Sequence, residues 1–277
     1  MWHALLRITQ GAASLPGRRP EGRRRLHPSR ATRSGMDFLA VIRRDSDRFY
    51  ATADTADPTR PVPGCPDWTI ADLVGHLGET HWFWGSDIEM RASGPDEVEQ
   101  AKPEPPTDYA EVVAWGRAQA DRMIQLLEAT PDDVAVWTWA LEDSEHNVGF
   151  IRRHQVQEAA VHRWDIESAA TGRPQPIEPD VASDSIDEVL AITLPWGVNE
   201  EKPLPGSVHI HCTDTDGEWF IHADGRVERV HAKGDVALRG TASDLLLALY
   251  TRVPVGDLDV IGDASLADDL VARIGTD

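Results

Sequence analysis

At 277 residues, 41% hydrophobic and 27% charged, the chain has room for two cored domains and holds no apolar run long enough to span a membrane. Its formal charge is −20, and the first 35 residues hold eight Arg against one Glu, which leaves the rest at −27. So acidic a body repels nucleic acid and anionic membrane surfaces, and a small-molecule function is expected. Cys65 and Cys212 stand far apart with no CxxC pairing, which argues against a disulfide framework or a thiolate cluster and fits a reducing cytoplasm.

Residues 1–35 are rich in Arg, Pro and Gly without sustained periodicity, so a disordered basic extension is expected, with Met36 as the natural start. A helix follows over about 37–53, where Phe38, Leu39, Ile42, Phe49 and Tyr50 form an apolar stripe between charged residues. The stretch PDWTIADLVGHLGETHWFW opens the next helix, with Thr69 and Asp72 spaced as a capping box. Leu73, His76, Leu77, Thr80 and Trp84 recur at three- and four-residue steps, so His76 points where the core leucines point. His81 lies roughly 140° further round the helix and is a poor partner for it. Residues 93–106 read as an acidic, Pro-rich surface loop. A third helix over about 108–129 buries Val112, Trp115, Ala118, Met123, Leu126 and Leu127. The long connection after it alternates Trp137 and Trp139 as a short extended piece, and leaves His146 solvated.

The fourth helix, about 149–170, contains RRHQVQEAAVHRWD. Glu158 and His162, four residues apart, put a carboxylate and an imidazole on one face, with Gln155 and Asp165 one turn to either side. Taken alone, such a pair is an ordinary surface contact. Were the core-facing His76 to meet it from another helix, the set would be two imidazoles and one carboxylate inside a helical bundle, a convergence that spacing suggests without fixing. Such a donor set is expected to hold a divalent metal with a coordination position left open, as in catalytic zinc sites.

After the linker TGRPQPIEP the pattern changes to a small α+β domain over 180–277. It opens with a helix over about 181–194. SVHIHCTD, EWFIHAD, RVERVHA and DVALRG then read as an antiparallel meander separated by Asp-Gly and Lys-Gly turns. TASDLLLALYTRV is an amphipathic helix, LDVIGD a last strand and ASLADDLVARI a last helix. His209 and His211 share a strand face, but no acid stands at ligand spacing in the sequence. With His222 and His231 they are expected to be sheet-surface histidines.

Two helix motifs and the C-terminal stretch together resemble one family. WTIADLVGHLGETHWFW is similar to the W-T-x-x-D-L-x-x-H-L segment of the mycothiol-dependent maleylpyruvate isomerases, which belong to the DinB-like metal-binding four-helix bundles. RRHQVQEAAVHRWD resembles their R-R-x-x-x-H-E-x-x-x-H-R-W-D segment. LRGTASDLLLALYTRV…LDVIGD resembles their sterol-carrier-protein-like C-terminal domain. The resemblance runs from about Met36 to the C-terminus. It implies a DinB-like bundle over 36–171 followed by the α+β domain. It also implies His76, Glu158 and His162 as ligands of a divalent, Zn²⁺-type metal, and mycothiol as the thiol cofactor.

The implied reaction adds a thiolate to the cis double bond of an enone acid, lets a single bond rotate, and expels the thiolate to leave the trans isomer. Arg252 is the nearest match to an Arg that matters in relatives; with Arg152 or Arg153 it suits a substrate's carboxylates. Gln157 departs from the family pattern, which has His just before the Glu, and is expected to cost a supporting or helix–helix contact rather than a ligand. The expected protein is a cytoplasmic monomer or small homo-oligomer with no nucleic-acid or membrane partner. Two other readings keep the same residues: a metal-dependent thiol S-transferase, and a non-catalytic protein binding metal and an apolar ligand.

Overall fold

The computed structural model describes residues 35–274, so the basic extension expected over 1–35 lies outside it except for its last residue. Two compact units meet in sequence at Gln175/Pro176. In the first, each long helix begins where a polar side chain satisfies the open N–H groups of its first turn. Asp37 accepts from the Ala40 N–H at the start of α1, Phe38–Ala53. A short hairpin, β1 (Pro61–Val62) and β2 (Cys65–Thr69), runs into α2, Ile70–Met90. There Thr69 and Asp72 close the expected capping box, each side chain taking the other's backbone N–H. Asp108 caps α4 (Tyr109–Ala129) and Asn147 caps α5 (Val148–Thr171). Each such cap is worth about 1 kcal/mol.

The segment expected to be a loop over 93–106 contains a six-residue helix, α3, Pro95–Gln100. Pro95 starts it, Asp96 and Glu97 occupy its first turn, and Glu97 accepts from the Ser93 N–H and hydroxyl. Buried Val98 anchors it. Polar composition hid a helix whose signals are at its N-terminus. The Trp-rich connection makes a single bridge, Ala135 to Asn147, and stacks Trp137 on Trp84 at 6.2 Å. His146 is not purely solvated, since its Nδ1 accepts from the Thr138 N–H at 3.3 Å.

The four long helices form a ring in which α1 and α2 each pack against α4 and α5. Phe49, Tyr50, Leu73, Val74, Leu77, Val113 and Ile166 fill one core between them. The backbones of α2 and α4 approach closely at Gly78 and Gly116. A Cβ on Gly78 would sit 2.8 Å from the Trp115 ring, and one on Gly116 would sit 2.9 Å from the Tyr50 ring and hydroxyl. Only hydrogen fits at either place.

Asp87 is an odd element of α2. It is fully buried, and neither carboxylate oxygen has a hydrogen-bond partner among the described residues. Burial first, then the charge of Glu97, pushes its carboxyl up from 3.8 to about 8. The fold therefore favours the protonated acid, so this contribution to stability is full below about pH 4 and is lost as pH rises through about 8. Asp87→Asn should remove that dependence, narrowing the stability difference between about pH 5 and pH 8.5 by on the order of 2 kcal/mol in denaturant titrations. An unchanged difference would show that the carboxyl is solvated.

The second unit opens with α6, Pro179–Glu188, continues through a π-helical turn at Val189–Thr193 and ends in α7, Leu194–Gly197. Its sheet holds β3 (Val208–Cys212), β4 (Glu218–Ile221), β5 (Val227–Glu228), β6 (Val236–Gly240) and β7 (Asp259–Gly262) in the order β5-β4-β3-β6-β7. The sheet is mixed rather than the meander expected, because β6 crosses back to pair in parallel with β3. Turn residues announce where a strand ends, not which neighbour the next strand chooses. Helices α8 (Ala242–Leu249) and α9 (Ala264–Ile274) pack on β6. Val208, Ile210, Trp219, Ile221, Val236 and Leu238 form one buried sheet face, while His209, His211, Glu218, Phe220 and Arg239 alternate onto the other. No helix among the described residues is long and apolar enough to cross a membrane.

Candidate metal centre

His76, from the second turn of α2, and Glu158 and His162, from the middle of α5, converge inside the bundle. One ligand atom from each lies within 4.8 Å of the others. The His76 and His162 rings stand edge to face with centroids 5.1 Å apart, and Trp68 tilts against His76 at 4.7 Å. Glu158 and His162 are buried. His162 Nε2 lies 3.4 Å from Glu158 Oε2, yet neither atom finds a hydrogen-bond partner among the described residues. Two adjacent buried acceptor positions left in this way are what a cation would satisfy, and an imidazole pair with a carboxylate is a ligand set that zinc-type ions take.

Neighbouring side chains fix how these donors face. Asp165 Oδ2 lies 3.0 Å from His162 Nδ1, which holds the ring's proton on Nδ1 and turns Nε2 toward the other two residues. Burial works against charge at Glu158, but the proximity and charges of the His154 and His162 imidazoles outweigh it and hold the carboxyl well below its ordinary range. At His162 burial again disfavours charge. The bond to Asp165, with the Glu158 carboxylate, prevails and raises the imidazole. Glu158 is thus a buried carboxylate held between imidazoles.

Among the neighbours, His154 was not singled out by the sequence. His154 Nε2 lies 3.4 Å from Glu158 Oε1, and Gln157 Nε2 donates to His154 Nδ1 at 3.0 Å. Gln157, the departure from the family pattern, therefore supports Glu158 through His154. His81, read as pointing away, is fully buried, with Nδ1 3.2 Å from the Tyr50 hydroxyl. Burial pushes it down to about 3 against the opposing charge of Glu158, so it is a neutral imidazole beside the site. Arg152 is committed elsewhere: it donates to the carbonyls of Leu127 and Thr130 and pairs with Asp132, closing the end of α4. That engagement replaces the carboxylate-binding role considered for it. Arg252, in the second unit, donates to the Tyr250 carbonyl at 2.7 Å and lies over the Tyr250 ring.

Removal of the supporting contacts should weaken the site without dismantling it. Asp165→Asn and Gln157→Leu are each expected to lower metal affinity by about 10- to 100-fold, with the fold retained, as measured by competition against a chromogenic chelator. Unchanged affinity in both variants would mean that these contacts do not position ligands.

Comparison with known proteins gives the following matches. The family model described as the mycothiol maleylpyruvate isomerase N-terminal domain matches residues 39–167, and that of the C-terminal domain of the same family matches residues 180–269. A crystal structure of the mycothiol-dependent maleylpyruvate isomerase is similar with a TM-score of 0.51 at 11% identity, over 76% of this chain and 86% of that one. A mutant of that enzyme gives a TM-score of 0.50 at the same identity and coverage. At that identity the likeness is one of fold. No curated protein matches the chain.

Proposed function

Because the chain belongs to the mycothiol-dependent maleylpyruvate isomerase family, we propose that it is a metal- and mycothiol-dependent cis–trans isomerase of a maleylpyruvate-like acid, with His76, Glu158 and His162 as the metal ligands. The observation that carries this reading is the convergence of two imidazoles and one carboxylate from two helices, with buried atoms of Glu158 and His162 lacking hydrogen bonds. A bound Zn²⁺-class ion lowers the pKa of a coordinated thiol, so that mycothiol is presented as thiolate at neutral pH.

The chain's own residues set up that chemistry. Asp165 keeps the His162 proton on Nδ1, so Nε2 offers its lone pair. His154, oriented by Gln157, holds the Glu158 carboxylate ionised and in place. The walls formed by Trp68 and the surrounding buried side chains of α2 and α5 limit water around a nucleophile that hydration would weaken. Arg252 is assigned to a substrate carboxylate on the family resemblance, and Arg252→Lys is expected to raise KM more than it lowers kcat. A reduced thiol cofactor suits a reducing compartment, and Cys65 and Cys212 are both thiols.

The test is thiol dependence. Zinc-loaded protein with maleylpyruvate should form the trans isomer when mycothiol is present and none when it is left out. Conjugates that accumulate in place of isomer would assign a thiol S-transferase instead. Stoichiometric metal with neither product would leave the protein a binder.

A further inference from the structure

The sheet of the second unit gathers four metal-type donors that the isomerase reading does not use. We propose that His209, His211, Glu218 and His231 form a second metal site for a divalent first-row cation, zinc foremost. One ligand atom from each of the four lies within 4.8 Å of the others. The strand register accounts for three of them. His209 and His211 alternate onto the same face of β3, and the antiparallel pairing sets Glu218 of β4 directly opposite His211. This corrects the expectation of plain surface histidines: the acid comes from the neighbouring strand, where sequence spacing cannot reveal it. The fourth donor, His231, lies on the connection that carries the chain from β5 across to β6.

The contacts form a cluster rather than separate pairs. Glu218 Oε1 meets the Nδ1 atoms of both His211 and His231, the latter at 2.9 Å. The His209 ring stands edge to face with both, at 5.9 Å from His211 and 5.2 Å from His231. His209 itself is buried, and its Nε2 has no hydrogen-bond partner among the described residues. Pairing with Glu218 explains two of the imidazoles but leaves this third one unsatisfied. A cation accepts lone pairs from all four at once.

Three imidazoles and a carboxylate form a donor set for zinc and its neighbours in the first row. Oxygen-seeking Mg²⁺ and Ca²⁺ are disfavoured. In a tetrahedral zinc site the ligand atoms stand roughly 3.3 Å apart, so modest side-chain rotations close the cluster. Arg239 shares this face opposite His211, but its guanidinium is turned to Asp259 at 3.1 Å. Exposure grades from buried His209, through His211 and Glu218, to His231, whose side chain is 77% exposed, so a cation can enter from solvent. With four protein ligands the site is closed and structural. It would pin the β5–β6 crossover to β3 and β4.

The experiment counts zinc per full-length chain after dialysis, in the native protein and in two double variants. Two equivalents are expected in the native protein, one in Glu158→Ala/His162→Ala, one in His211→Ala/His231→Ala and none in the combined variant. A native protein holding one equivalent that survives His211→Ala/His231→Ala overturns the proposal. If that one equivalent is instead lost with His211 and His231, this site stands and the bundle site fails. Since His231 is exposed, His231→Gln leaves the fold intact and provides a second arm. Its zinc affinity, measured in the Glu158→Ala/His162→Ala background, should fall at least about tenfold. An unchanged affinity there likewise overturns the site.

Discussion

Replacing Glu158 with Ala should lower the affinity of the helical bundle for its cation by about a thousandfold and take thiol-dependent isomerisation to background. Glu158 is the one anion among the three converging donors, and it is almost fully buried. Without it a dication would face only neutral imidazoles, two of its three donors' positions lying in the buried part of the bundle, where an uncompensated charge is unfavourable. Glu158→Gln keeps the shape and one oxygen donor but not the charge, so it should fall between the native protein and the alanine variant. Metal content after dialysis and the initial isomerisation rate read the effect, and a far-UV spectrum confirms that the helices persist. If Glu158→Ala retained a full equivalent of bundle metal, the assignment of this triad would fail.

The second large effect concerns stability. Arg163→Met should destabilise the protein by about 3–5 kcal/mol. Arg163 is fully buried on α5, with Nε 3.5 Å from Asp45 of α1 and Nη1 3.1 Å from Glu167. It also donates to the Gln175 carbonyl, so one guanidinium ties α5 to α1 and to the chain that follows α5. Arg44 pairs with Asp45 at 2.8 Å and Arg48 with Glu167 at 2.6 Å, but both are partly solvated and cannot replace the buried partner. Removing Arg163 leaves Asp45 and Glu167 inside the fold with their compensation reduced. Arg163→Lys keeps the charge but loses the planar fork, and should cost about half as much. Urea unfolding at neutral pH measures both. A loss below about 1 kcal/mol in the methionine variant would mean that water reaches the two carboxylates.

The helices were legible because their signals are local. Thr69 with Asp72 declares the start of α2, and the apolar period of 3.6 declares the buried sides. The Glu158–His162 pair was legible for the same reason, as an i,i+4 spacing on one face. That His76 meets it from another helix depends on how helices pack, and here only the family resemblance supplied it. His81 escaped because an angle around a helix says nothing about burial when α2 is enclosed round most of its circumference. Gln157 was expected to lose a supporting contact; that it donates to His154 on the same helix became visible only with side chains in place. In the sheet, each strand could be read from its alternation and turns. The parallel insertion of β6 beside β3, and with it the meeting of Glu218 and the histidines, follows from pairing choices that no short stretch encodes.

The glycine contact between α2 and α4 bears on how the bundle would respond to gaining and losing its cation. Gly78 follows His76 by two residues, so the segment carrying that imidazole is fixed to its neighbour backbone to backbone. A ligand already immobilised loses little conformational entropy on binding, and the ordering usually charged against metal affinity has been met by the folding of the helices. Zinc fingers behave in the opposite way, since there the metal supplies the order. Here the apo protein should remain a folded bundle, taking up and releasing metal as a reversible ligand rather than as a condition of its architecture.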